Sequence, residues 1–472
     1  MQVESKDKII LKDSNGKSMT CDELQVFCHS YKKYFGLDER DFVFVLCENT
    51  VACAAFFCAT IEAKVVPLLL NAAIDQDMLK RYIDLYRPGY IFKPKTTVID
   101  DAHDIVKEYS NYELLKTGHS RFRLHKDLSF LLPTSGTTGN PKLVRHTYDN
   151  LSISTKNVAR VFDIKNNEYA MLSLPMHFTQ GLSVLCSSLY SGASVFLTDL
   201  PISSREFWNI MKDEEITSFS GVPYSFEILD KLRFYKMDLP ALKVINQGGG
   251  RMPDELFSKL ATYAADTGRK FYATYGASET TSRMSCLMPE FTLCKCGSIG
   301  IPLPDYEMWL ADDNDEKITT HGTTGELIFK GGNVTMGYAN APEDLSKGDE
   351  WNGVYRTGDI AYSDEDGFYY IVGRISRFIK IFGHRVNLDE TERLVKEEFE
   401  GEFACVGSDN ELHVFTVDKK INEKDVRVFL KDKLKVNISA FKVVYIEEIP
   451  RKRNNKIDYS KLDHVLINQE GV

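Results

Sequence analysis

The sequence predicts an α/β protein: a large N-terminal region of helix-covered, mostly parallel sheets with a β-rich subdomain, then a small α+β C-terminal domain. Two patterns and the length carry this reading. Apolar runs of strand length alternate with segments of helical spacing as far as Gly250, the signature of a parallel sheet covered by helices. From Gly297 to about Phe368 the helical pattern fades and strand-like runs stand between turn clusters. At 472 residues the chain exceeds what one hydrophobic core usually organises, so two or three lobes are expected.

Taken in order, residues 22–34 read as a helix and Phe42-Val43-Phe44-Val45-Leu46 as a buried strand, followed by a helix from Ala52 to Glu62. Val65 to Leu70 is the next strand, then a helix near Met78 to Leu85 and a strand at Tyr90-Ile91-Phe92. A further succession runs through a helix from Asn150 to Phe162, strands at Ala170 to Pro175 and Ser194 to Leu197, a helix near Glu206 to Lys212, and strands at Ser218 to Val222 and from Val244 into Gly248-Gly249-Gly250. In the β-rich stretch, Gly325 to Lys330 and Gly367 to Val372 read as strands. Past Arg374 come a helix from Leu388 to Phe399, strands at Leu412 to Val417 and Phe441 to Ile446, and a helix near Glu423 to Leu434. The division thus falls near Ile375-Ser376-Arg377, giving regions 1–375 and 376–472.

Composition narrows the class. The hydrophobic fraction of 43% and the charged fraction of 27% are those of a globular protein. A net charge of -10 argues against a general nucleic-acid-binding surface. No repeat of solenoid or propeller length is visible. No apolar run approaches membrane-spanning length and residues 1–16 lack a signal-peptide core, so a cytoplasmic protein is expected. The ten cysteines are scattered. Cys47, Cys53 and Cys58 lie in apolar surroundings as small hydrophobes, and Cys294-Lys295-Cys296 lacks the second pair or histidines that a zinc site needs.

One stretch carries chemistry on its face. After the apolar run Ser129 to Pro133 come Thr134-Ser135-Gly136-Thr137-Thr138-Gly139-Asn140-Pro141-Lys142. Hydroxyls, glycines that let N–H groups converge, and a lysine make a phosphate cradle. The spacing fails the Walker A pattern. In isolation the loop reads equally as an ordinary Ser/Thr/Gly turn.

Further segments follow in fixed order: Tyr275-Gly276-Ala277-Ser278-Glu279-Thr280, Tyr355-Arg356-Thr357-Gly358-Asp359, Gly373-Arg374, Ile379-Lys380-Ile381-Phe382-Gly383-His384-Arg385, and Asn455-Lys456. With the loop, this set resembles the adenylate-forming superfamily of acyl-CoA synthetases, nonribosomal peptide adenylation domains and luciferases, from about residue 20 to the end. The resemblance implies an ATP-dependent acid–thiol ligase that makes an acyl-AMP with release of pyrophosphate. The acyl group then goes to a pantetheine thiol, of coenzyme A or of an acyl carrier protein. The C-terminal domain would turn on a hinge between the two steps.

By that resemblance Thr134, Ser135, Gly136, Thr137, Thr138, Gly139 and Lys142 hold the phosphates, and Glu279 is the Mg²⁺ ligand, as befits a hard oxygen donor. Ser278, where threonine is commoner, keeps the hydroxyl for the α-phosphate. Tyr275 and Gly276 border adenine, Gly249 the nucleotide, Asp359 the ribose hydroxyls, and Arg374 adds a charged contact. His177, Phe178 and Gly248 wall the acyl site. Lys456 stabilises the charge that develops in adenylation, and Gly383 opens the pantetheine channel. Each has a plainer reading: a core tyrosine, a turn aspartate, a surface arginine, a hydrogen-bonded buried histidine, a solvated basic run around Lys456. The ordered set outweighs these singly stronger readings.

Departures from the pattern are Asn455 before the lysine, Ser376 at the hinge and Leu143 after Lys142. Thr179 and Gln180 follow His177-Phe178 where amino-acid-activating members usually carry an aspartate, so a simple carboxylic acid fits better than an α-amino acid. The rivals are a stand-alone amino-acid adenylation enzyme, a luciferase-like oxidase, and an inactive nucleotide-binding protein of the same fold.

Overall fold

The structure, a computed structural model, describes residues 6–99, 104–134, 142–381, 384–408, 411–434, 436–452 and 456–470. It divides into two compact units, residues 1–308 with 329–355, and residues 309–328 with 356–472. The division expected near residue 375 lies inside the second unit.

Two sheets build the first unit. In one, six strands run parallel: Lys270–Ala277, Val244–Gln247, Ser218–Gly221, Tyr169–Leu172, Ser194–Leu197 and Ile9–Asp13, with antiparallel strands added at both ends. In the other, Leu128–Pro133, Val66–Asn71, Phe42–Cys47 and Tyr90–Pro94 are parallel, again with antiparallel neighbours. Phe42–Cys47 is buried at every residue, as a strand covered on both faces must be. The helix Val51–Glu62 is apolar nearly all round, and nine of its twelve residues are buried. It belongs to a core that also takes in Val45 and Leu69 from the second sheet and Val195 and Leu172 from the first, so it is packed between them. Phe56 stacks on Phe92 there, with centroids 3.7 Å apart.

The alternation read from the sequence is therefore present, with most boundaries within two residues. Part of the architecture lacked a local signal. The first sixteen residues read only as polar and charged, yet Ile9–Asp13 lies parallel beside Ser194–Leu197 and pairs with Ser18–Thr20. The helices Thr179–Tyr190, Pro223–Lys231 and Asp254–Asp266 likewise add to the elements expected from the sequence.

The second unit carries most of a five-stranded sheet that includes Gly325–Lys330, Val354–Ser363 and Tyr369–Arg374. It also holds a three-stranded sheet of Phe403–Gly407, Leu412–Thr416 and Phe441–Tyr445, on which Leu388–Glu398 and Glu423–Leu434 pack through Val395, Val426 and Leu430. All ten cysteines are unbridged, and no cluster of three or more metal-type side chains occurs among the described residues. No described helix is long and apolar enough to cross a membrane.

Candidate functional site

The strands on either side of the hydroxyl- and glycine-rich segment pair with each other. Leu128–Pro133 and Leu143–Thr147 pair antiparallel with Pro133 opposite Leu143, and the Thr134 N–H donates to the Lys142 carbonyl at 2.9 Å. The chain thus returns as a strand, whereas the Walker loop leads into a helix. Leu143 stands where the resemblance leads one to expect glycine because it starts that strand and is fully buried. Ser135, Gly136, Thr137, Thr138 and Gly139 lie outside the described residues.

At the loop's exit the Lys142 ammonium sits 3.3 Å from the centroid of the Tyr338 ring, a cation–π contact. The Tyr338 hydroxyl donates to Glu279 Oε1 at 2.8 Å. Burial and then the Glu279 charge push the phenol well up, so it remains a donor. Tyr338 is set there by a two-residue strand, Tyr338–Ala339, which pairs with Leu143–Thr147, and by Trp351 edge-on at 4.9 Å.

Glu279 is presented by a single 3₁₀ turn, Ser278–Thr280, where Lys270–Ala277 ends. The turn is pinned from both sides. Thr335 N–H donates to the Glu279 carbonyl at 3.0 Å and Asn333 Nδ2 to that of Thr280 at 2.7 Å. Thr281, left-handed at φ 59°, donates to the Asn333 carbonyl at 2.9 Å. A Cβ at Gly276 would collide with the Ser282 carbonyl, so only glycine lets the two strands approach there. Tyr275 and Ser278 are half-buried beside it.

His177 and Phe178 precede the helix Thr179–Tyr190, their rings 4.4 Å apart. His177 is 7% exposed. Burial lowers its pKa to about 4, so it is neutral at pH 7, and no described residue bonds to its Nδ1. Gln180 in the helix's first turn reaches the three glycines. A Cβ on Gly248 would stand 2.7 Å from Thr274 Oγ1 and 2.9 Å from Gln180 Nε2, and one on Gly249 would stand 3.2 Å from Gln180 Oε1. The group that the glycines admit to the backbone in this structure is therefore the Gln180 amide. Sequence reasoning overlooked Tyr338 and the contacts of Gln180, since each depends on a neighbour far along the chain.

In the second unit Asp359 and Arg374 are cross-strand partners, and Arg374 Nε meets Asp359 Oδ1 at 2.8 Å. Asp359 is buried, and its N–H donates to Thr357 Oγ1 at 3.0 Å. Lys456 lies close enough to feel both charges. Its pKa is lowered first by loss of hydration, then by Arg374 and Lys452, with Asp359 acting the other way. Solvent still reaches the side chain. Lys452 N–H donates to the Lys456 carbonyl at 2.8 Å, and a bridge between Arg451 and Ile457 closes the segment. Gly383 falls outside the described residues.

A family model described as AMP-binding enzyme matches residues 2–339. The chain is 28% identical over 466 residues to an oxalate–CoA ligase of Arabidopsis thaliana, covering 89% of this chain and 88% of that protein. It is 27% identical over 439 residues to a 2-succinylbenzoate–CoA ligase of Bacillus cereus, covering 90% and 88%. Among solved structures, o-succinylbenzoate coenzyme A synthetase from Bacillus subtilis in complex with ATP and magnesium superposes with a TM-score of 0.78 at 23% identity, over 98% of this chain and 97% of that one. An ATP-bound enzyme from Rhodopseudomonas palustris gives 0.77 at 20% identity over the same shares. At these identities the structural likeness speaks for the fold alone.

Proposed function

This chain belongs to the AMP-binding enzyme family and is an AMP-forming acid–thiol ligase, and from that premise we propose that it activates a carboxylic acid with ATP and passes the acyl group to coenzyme A. In the first step a carboxylate oxygen bonds to the α-phosphorus, the bond to the bridging oxygen breaks, and pyrophosphate leaves. In the second a thiolate attacks the acyl carbon and AMP departs. Joining two anions requires placed positive charge and an in-line approach.

The observation that carries this reading is the line Lys142–Tyr338–Glu279. One aromatic side chain joins the cation at the exit of a phosphate-type loop to a half-buried carboxylate held on a pinned turn. Mg²⁺ needs no cage of carboxylates, because phosphates and water complete its shell. A single Glu279 therefore fits it as protein ligand, and the bound ion would neutralise phosphate charge. Ser278 then donates to the α-phosphate, Tyr275 and Gly276 border the adenine, Gly249 lies along the nucleotide, and Asp359 receives the ribose hydroxyls with Arg374 beside it. Lys456 meets the charge that builds up at the attack. His177, Phe178 and Gly248 flank the acid. The rotation of residues 376–472 about Ile375–Arg377, with Gly383 leaving room for the pantetheine arm, rests on the resemblance.

ATP–pyrophosphate exchange across a panel of carboxylic acids tests the proposal. Exchange that depends on Mg²⁺ and on one class of acid is expected. ATP binding without exchange for any acid would reject it in favour of a nucleotide-binding protein.

A further inference from the structure

Just inside the glycine turn of the first unit lies a cavity of about 40 Å³, room for two or three water-sized groups. Helix–sheet interfaces are ordinarily lined with branched aliphatic side chains, and this lining has them in Val158, Val184 and Val244, but it also includes Ser187, Ser188, Ser218, Ser220, Asn246 and Arg283. Arg283 stands on Ser282–Leu287, the strand that follows the Glu279 turn, and is 5% exposed. Its guanidinium donates to Ser183 Oγ at 2.7 Å and lies 4.8 Å over the Phe162 ring. Its Nε has no partner among the described residues. Glu168 is the carboxylate on the cavity wall, and the charges that act on it are Lys243, Lys270 and Asp163. Burial pulls Arg283 down to about 10, which leaves it charged at neutral pH.

A buried arginine without a carboxylate is costly unless an anion completes it. The cavity's position supplies one. Its residues sit directly behind those at the glycine turn: Ser220 precedes Gly221, and Asn246 precedes Gln247-Gly248. Along Thr179–Tyr190, Ser183 is three residues and Ser187 seven residues beyond Gln180, about 4.5 and 10 Å deeper. We propose that Arg283, with Ser183 and the serine-lined cavity, binds a second anionic group at the far end of the substrate, so that the acid activated is a dicarboxylate or an acid with an equivalent anionic tail. This rests on the acid-activating reading and gives its substrate class.

The test compares acids matched in carbon skeleton: glutarate, adipate, pimelate and isophthalate against valerate, hexanoate, heptanoate and benzoate. ATP–pyrophosphate exchange is measured for the wild type, Arg283→Lys and Arg283→Gln, each with a melting temperature. For at least one pair the wild type should favour the diacid by about 100-fold or more in kcat/KM. Arg283→Gln should collapse that ratio to within about threefold, with Arg283→Lys between, because lysine keeps the charge and loses the fork. Wild-type ratios near one, or a ratio unchanged in Arg283→Gln, overturns the proposal. Diacid stabilisation against heat is read in parallel, so that failure of acid activation can be told apart. Without exchange for any acid, a diacid-specific rise in melting temperature that Arg283→Gln removes still supports the anionic subsite, and no such rise overturns it.

Discussion

The two groups of polar residues, one in each unit, are held in different ways. In the first unit Lys142, Glu279 and Tyr338 come from distant parts of the sequence, yet each has its place fixed by sheet pairing or a pinned turn, and direct contacts join the three. In the second, Asp359 and Arg374 follow from the register of one hairpin, while Lys456 stands on a short irregular stretch among like charges. A preformed site costs no reorganisation when phosphate arrives. A lysine whose ammonium is disfavoured at rest gains most when an anion joins it. Anion binding is therefore expected to raise the Lys456 pKa, while the Lys142–Tyr338–Glu279 contacts change little.

Substitutions sharpen the contrast, the largest effect coming first. Lys456→Ala should slow acyl-adenylate formation by about 10³-fold, the scale for losing a charge aimed at the transition state, without moving the melting temperature of a side chain that solvent reaches. Glu279→Gln should cost about 10²-fold and shift the Mg²⁺ concentration needed for half-maximal exchange upward. An unchanged Mg²⁺ requirement would remove Glu279 from the metal. Tyr338→Phe keeps the ring under Lys142 and deletes the bond to Glu279. A loss of about tenfold is expected, and loss as large as that of Glu279→Gln would mean that the phenol does more than orient the carboxylate.

The smallest effect expected is one of pH. His177 and the more deeply buried His146, held near 4 and 3 by burial, are neutral in the folded chain, whereas the unfolded chain takes protons near pH 6.5. Stability should thus be full above about pH 6.5 and fall as the pH drops towards 4, since the unfolded state then binds more protons. Melting curves between these limits, with His177→Gln showing the shallower slope, check the sign.

What the sequence disclosed follows from how local each signal is. Phe42–Cys47 and Val51–Glu62 are legible because burial on every side demands uninterrupted apolar residues. Gly325–Lys330 and Glu423–Leu434 have the bounds read from the sequence. Lys142 and Glu279 stand out by motif. Tyr338 does not, because a two-residue strand has no period and the two charged groups it joins, Glu279 and Lys142, lie 59 and more residues away. Arg283 reads as an ordinary strand arginine until three dimensions show it buried with no ion pair among the described residues.

The contrast between the two groups is tested most directly by separating the half-reactions in Lys456→Ala and Gly383→Leu. With acyl-adenylate supplied, Lys456→Ala should transfer the acyl group to coenzyme A within about threefold of the wild-type rate, despite its loss of adenylation. Gly383→Leu should show the reverse: adenylation retained and transfer lost. Equal loss of both steps in Lys456→Ala, at an unchanged melting temperature, would contradict the assignment of that lysine to one step alone.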